Sequence, residues 1–201
     1  MSQSEPKTSD LCAPAGSTWG ATGRPVAYQR CGPGETVADP RPGDIVLIRG
    51  PGWLGKSIRF GVRIRCRREG DRALAHWSHA GIIVSHQGHL IEVVPRGVVL
   101  NLLKNYRDQE YHYVYLDLSP ADRARASSYA YSCLRQKYGR FSFVLLTLAV
   151  FTGDWFEVPD RGQQGCVALI ARALQRAGVT FARKPTDMTP ADLAKNFGVM
   201  P

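Results

Sequence analysis

Two short apolar runs, H-A-G-I-I-V at 79–84 and H-L-I-E-V-V at 89–94, flank a polar stretch containing Gln87-Gly88. A gap that short turns the chain back on itself, so the runs predict a β-hairpin with its strands antiparallel. Two further strands fit beside it. P-R-P-G-D is a turn signal leading into Asp44-Ile45-Val46-Leu47-Ile48, a short buried strand, and another is expected around 111–116.

Helices follow in the second half. Ser119-Pro120 pairs an N-cap serine with proline at the first helical position, predicting a helix to about Lys137 that stops at Tyr138-Gly139. The apolar run 141–151 reads as a buried helix. It is eleven residues long and contains Ser142 and Thr147, short of the roughly 18–20 apolar residues a membrane span needs. Cys166, Leu169, Ile170, Ala173, Leu174 and Ala177 repeat at helical spacing and end at Gly178, a C-cap. Thr189-Pro190 opens a last short helix. Strands followed by helices read as an α+β chain.

The first forty or so residues, rich in Ser, Thr, Pro and Gly, read as a flexible N-terminal arm with a segment near 25–29 packed on the body. Residues 41–201 form the single domain. A chain of 201 residues with 44% hydrophobic and 21% charged residues excludes wholesale disorder and buries a core without disulfides or a metal. The net charge of +9 permits nucleic acid, anionic lipid or cell-wall partners and selects none. No recognised motif or base-stacking pattern accompanies it, so specific nucleic-acid binding is not expected. The N-terminus has neither a basic nor an apolar signal region, which makes a cytoplasmic location the default expectation, with export by a signal-independent route left open.

Five cysteines, 12, 31, 66, 133 and 166, form no C-x-x-C pair, which argues against both a disulfide framework and a zinc ribbon. Cys166 is the candidate nucleophile. It opens a strongly patterned helix behind Gly165, where the macrodipole and free N–H groups favour a thiolate and an oxyanion. The alternative is a small apolar residue starting the buried stripe, the reading that fits Cys133, expected mid-helix on an apolar face. His79 opens a strand, and Glu92 interrupts the apolar run L-I-E-V-V. A hairpin tip at Ser85-His86 puts the two opposite each other; one at Gln87-Gly88 moves Glu92 four residues along. Both place them on one face, because the shift is even. A nucleophilic cysteine needs such a base and such an orienting group. The plainer reading gives Glu92 to Arg96 and makes His79 an edge residue. His76, His86, His89 and His112 read as surface or loop residues, with His89 a weak substitute for Glu92. The spacing of His76, His79, His86 and His89 puts pair members on opposite strand faces and argues against a metal site. The reading needs no cofactor. Between 59 and 72, six arginines stand against Glu69 and Asp71. Arg59, Arg63, Arg65, Arg67 and Arg68 form either a solvated basic face or a rim for an anionic substrate or surface.

In order, P-G-D-I-V-L-I, S-H-A-G-I-I-V, I-E-V, Y-G-R-F-S-F, G-C-V-A-L-I-A-R-A-L and the closing T-P-A-D-L-A resemble the circularly permuted NlpC/P60 group of papain-like proteins, its YiiX/YebB-like branch in particular. The resemblance covers about residues 40 to 195. It implies a permuted papain-like fold, a small antiparallel sheet packed against helices, with Cys166 as nucleophile, His79 as base, Glu92 as the orienting residue and Tyr138 lining the substrate cleft. It implies a cysteine hydrolase (a peptidase or amidase) acting on a peptide or acyl substrate, with peptidoglycan peptide as the leading candidate. The alternatives are a thiol acyltransferase or lipase on lipid esters, and a catalytically silent binding module of the same fold. Val167-Ala168 stands where the family usually has Ser-Glu after the cysteine, a departure that bears on substrate more than on fold.

Overall fold

The hairpin sits inside a larger sheet. The computed structural model describes residues 11–12, 26–50, 73–94, 96–134 and 165–201. Its strands are β1 (Leu11–Cys12), β2 (Val26–Cys31), β3 (Ile45–Ile48), β4 (His79–Ile83), β5 (His89–Val94), β6 (Gly97–Leu102) and β7 (Tyr111–Leu116). They lie in the order β1-β2-β7-β3-β4-β5-β6, and every pairing is antiparallel. The segment near residues 25–29 enters this sheet as β2, paired along its length with β7. Strand β6 has no counterpart among the sequence expectations. It follows β5 through Gly97, whose φ of 127° suits glycine alone.

Three α-helices complete the described fold: α1 (Pro120–Ser132), α2 (Cys166–Arg176) and α3 (Pro190–Asn196). Their starts follow the expected signals. Ser119 accepts a hydrogen bond from the Asp122 N–H, and Thr189 forms a reciprocal capping box with Asp192. Helix α2 ends as expected, with Gly178 at φ 80° just beyond it. Helix α1 stops earlier than predicted. The Cys133 N–H turns to the Tyr129 and Ala130 carbonyls and Leu134 to Tyr131, tightening the last turn. Cys133 is thus a buried C-cap rather than a mid-helix residue. The expected stop at Tyr138-Gly139 and the apolar run 141–151 lie outside the described residues. Among the described residues no helix is long and apolar enough to cross a membrane.

Strand alternation sends side chains into two separate clusters. Ala80, Ile82, Ile91 and Val93 join the face covered by α2, with Leu169, Ile170 and Leu174. Val46, Ile48, Ile83, Leu90, Tyr111 and Tyr113 form the second cluster on the other face. The register sets Gly81 opposite Glu92 and Ile83 opposite Leu90. A Cβ on Gly81 would come within 2.4 Å of the Leu90 Cδ1 atom, and Leu90 is fully buried. Gly81→Ala is expected to lose about 1–3 kcal/mol through overpacking, read as a lowered urea midpoint at unchanged slope.

The start of β3 is tied to its surroundings by one acid. Asp44 is completely buried. Its Oδ1 accepts from the Leu116 N–H (2.9 Å) and the Arg123 guanidinium (2.8 Å), its Oδ2 from the Tyr113 hydroxyl (2.9 Å) and Arg41 (3.3 Å). Arg123 also donates to the Pro42 carbonyl at 2.8 Å and to the Leu116 carbonyl. One carboxylate thereby links β3, β7 and α1.

Candidate active site

His79 is the first residue of β4, and Glu92 lies on β5 opposite Gly81. The pairing centres the turn between His86 and Gln87, midway between the two expected tips. Gly88 closes it by donating to the Ser85 carbonyl at 3.1 Å with φ 77°. The shift is again even, so His79 and Glu92 share a face and sit diagonally, with no side chain on Gly81 between them. His79 Nε2 and Glu92 Oε2 are 2.6 Å apart.

Glu92 is 2% exposed and is satisfied from three sides. Its Oε2 also accepts the Tyr106 hydroxyl at 2.5 Å, and its Oε1 accepts Asn101 Nδ2 at 2.7 Å. The Asn101 carbonyl oxygen in turn accepts Asn105 Nδ2 (2.6 Å) and the Leu102 N–H (2.9 Å), which points its amide NH2 at the carboxylate. Arg96, the rival partner for Glu92, is exposed. Tyr106 and Asn101 were not anticipated. Both reach Glu92 only after β6 and the 3₁₀ turn Leu103–Tyr106 fold back beside β5.

Cys166 opens α2 and is partly exposed. It lies beside His79, near enough for the thiol to bear on the protonation of the ring. With Nε2 held by Glu92, Nδ1 is the ring nitrogen left for it. Burial alone would push the His79 pKa down. The hydrogen bonds and charges of Cys166 and Glu92 outweigh that and push it up to about 10. Burial likewise works against ionised Glu92, but His79, then Tyr106 and Asn101, hold its pKa below the usual carboxylate value. Burial and the Glu92 charge raise the Tyr106 pKa, so the phenol remains a donor. A carboxylate, an imidazole and a thiol thus stand in sequence. The ring is set to exchange a proton with sulfur while its far nitrogen is held by a negative charge.

Because the folded His79 pKa is raised, its stabilising contribution is complete below about pH 6.5, the unfolded value. It fades as pH climbs toward 10. Glu92→Gln removes the charge and leaves a hydrogen-bond acceptor. The His79 midpoint, followed by NMR, is expected to fall, because the lost carboxylate favoured the charged ring. Any turnover should drop by about two orders of magnitude without vanishing. An unchanged midpoint would remove Glu92 from the site.

The remaining histidines behave differently. His76 Nε2 meets Glu110 at 2.9 Å, His89 Nδ1 meets Ser85 Oγ at 2.8 Å, and exposed His86 lies 4.0 Å from Asp39. His112, expected at the surface, is 1% exposed and packs against Tyr28 and Trp77. Both sheet faces are covered, so alternation along Y-H-Y-V-Y marks no outside. Tyr138 and the arginines at 59, 63, 65, 67 and 68 lie outside the described residues. No family model matches this chain, and a search of curated proteins finds no relative.

Proposed function

We propose that this chain is a cysteine hydrolase of the permuted papain-like, NlpC/P60 type, acting on an amide or ester, with cell-wall peptide as the first substrate to test. The observation that carries the reading is the Glu92–His79 hydrogen bond with Cys166 beside the same ring. The thiol passes its proton to His79 and sulfur attacks the substrate carbonyl carbon. Backbone N–H groups in the first turn of α2 receive the oxyanion; Gly165, at the N-cap, has no side chain to occupy them. As the carbonyl re-forms, the bond to the leaving amine or alcohol breaks, and that group departs with the proton from His79. Water then attacks the thioester with His79 as base, releasing the acid and restoring the thiol. Glu92 keeps the ring oriented and stabilises its charged form throughout. The family resemblance assigns Tyr138 the role of the cleft tyrosine.

The test uses a thiol-reactive probe at neutral pH followed by substrate screening. Iodoacetamide should label Cys166 at least about tenfold faster than the buried Cys31 and Cys133. Turnover of peptidoglycan fragments supports the peptidase reading, and turnover of lipid esters supports the acyl-ester alternative. Slow labelling at Cys166 and no turnover of either would leave a silent binding module.

A further inference from the structure

A second candidate site lies at the same end of the sheet. At the ends of β2, β7 and β3 is an open cavity of about 510 Å³ lined by Arg30, Arg49, Glu110 and His112 with Cys31, Gly32 and Pro33. Across the sheet, His79 pairs with Ile48, Ile48 with Tyr111, and Tyr111 with Cys31. Three strand spacings of about 4.8 Å put this cavity roughly 14 Å from His79.

Its charges are unequal. Glu110 is held by Arg49 at 3.1 Å and His76 at 2.9 Å. Burial works against its ionised form, but these partners keep its pKa below the usual value. Its charge is therefore already answered. Arg30 forms no ion pair among the described residues, which leaves a guanidinium in excess. His112 faces Arg30 across the β2–β7 ladder. Burial, then the Arg30 charge, pushes its pKa down to about 4, so at neutral pH the ring is uncharged and offers one N–H. Its Nδ1 is buried without a hydrogen-bond partner among the described residues. Such an orphan inside a folded chain asks for one.

We infer that this cavity is a binding site for a compact organic acid, whose carboxylate is taken by Arg30 beside the Arg49–Glu110 pair and His112. Guanidinium groups match carboxylates in planar geometry. The volume falls within the 300–1,000 Å³ or so typical of small-molecule sites, far beyond the roughly 30 Å³ of one water. Gly32 and Pro33 offer weakly polar surface to a short carbon frame. The site does not depend on the chemistry assigned to Cys166.

Titration of the full chain with glutarate, followed by ¹H–¹⁵N NMR, tests it. Saturable shifts are expected at Arg30, Gly32 and His112, with neutral glutaramide producing none. Arg30→Gln should weaken glutarate at least about tenfold with the rest of the spectrum intact, since Arg30 is exposed and structurally replaceable. Equal effects of acid and amide, shifts that do not saturate, or unchanged affinity in Arg30→Gln would overturn the site. Two sources of the acid are separable by comparing Cys166 substrates with and without a distal carboxylate. A KM preference for the acid that disappears in Arg30→Gln assigns the cavity to the substrate. Glutarate binding without such a preference assigns it to a separate ligand.

Discussion

Cys166→Ala is expected to cut turnover of whatever amide or ester the chain accepts by at least about a thousandfold, with the folded domain unchanged. Removing the nucleophile removes the covalent route, and no other described thiol can substitute for it. Cys31 and Cys133 are buried, and Cys133 caps a different helix. The substitution should cost little stability, because Cys166 is partly exposed and alanine is a strong helix former. A second readout comes from the neighbouring ring. Cys166 contributes by hydrogen bond and by charge to the raised pKa of His79. The His79 midpoint should therefore fall in Cys166→Ala as well. Cys133→Ala should leave both turnover and that midpoint in place while losing about 1 kcal/mol from the core. Retained turnover in Cys166→Ala would end the proposed mechanism, whatever the substrate.

The parts of this site that were legible in the sequence are those fixed by local rules. A cysteine at the first turn of α2 follows from the stripe between Cys166 and Ala177 and the glycine beyond it. That His79 and Glu92 share a face follows from strand parity, which survives any even slip of register. The register itself did not follow, since the turn centres between His86 and Gln87 and neither expected tip was right. Asn101 and Tyr106 were invisible for a related reason. Their hydrogen bonds to Glu92 depend on β6 pairing back on β5 and on the tight turn after it, and no periodicity in N-L-L-K-N-Y announces either. His112 was misplaced because a histidine between tyrosines in a strand looks outward only when one sheet face is bare. Here both faces carry packed clusters.

Asp44 illustrates the same limit with a larger energetic consequence. In the sequence it closes a turn signal, P-R-P-G-D, and nothing local separates it from a solvated aspartate. Folding brings it Tyr113 from 69 residues away and Arg123 from 79. The carboxylate is then fully enclosed, with Arg123 only 14% exposed. Asp44→Ala is expected to destabilise the domain by about 3–5 kcal/mol, because it leaves the buried Arg123 charge and the Leu116 N–H without their acceptor. For a chain of this size that corresponds to a fall in Tm on the order of 10 °C. Asp44→Asn separates the charge from the hydrogen bonds. An amide oxygen in the Oδ1 place still accepts from the Leu116 N–H and Arg123, but the NH2 in the Oδ2 place cannot accept from Tyr113 or Arg41, so this variant should fall between wild type and Asp44→Ala. Arg123→Met combined with Asp44→Ala removes both charges and should recover part of the loss, since the penalty resides largely in the uncompensated partner. A loss below about 1 kcal/mol for Asp44→Ala in urea unfolding would mean that Asp44 does not hold β3, β7 and α1 together. The strand it anchors pairs with β4 beside His79, so the prediction reaches the candidate active site. Where the destabilised variant remains folded, the His79 titration should keep its raised midpoint, because Asp44 supports the scaffold and takes no part in the Glu92–His79–Cys166 path.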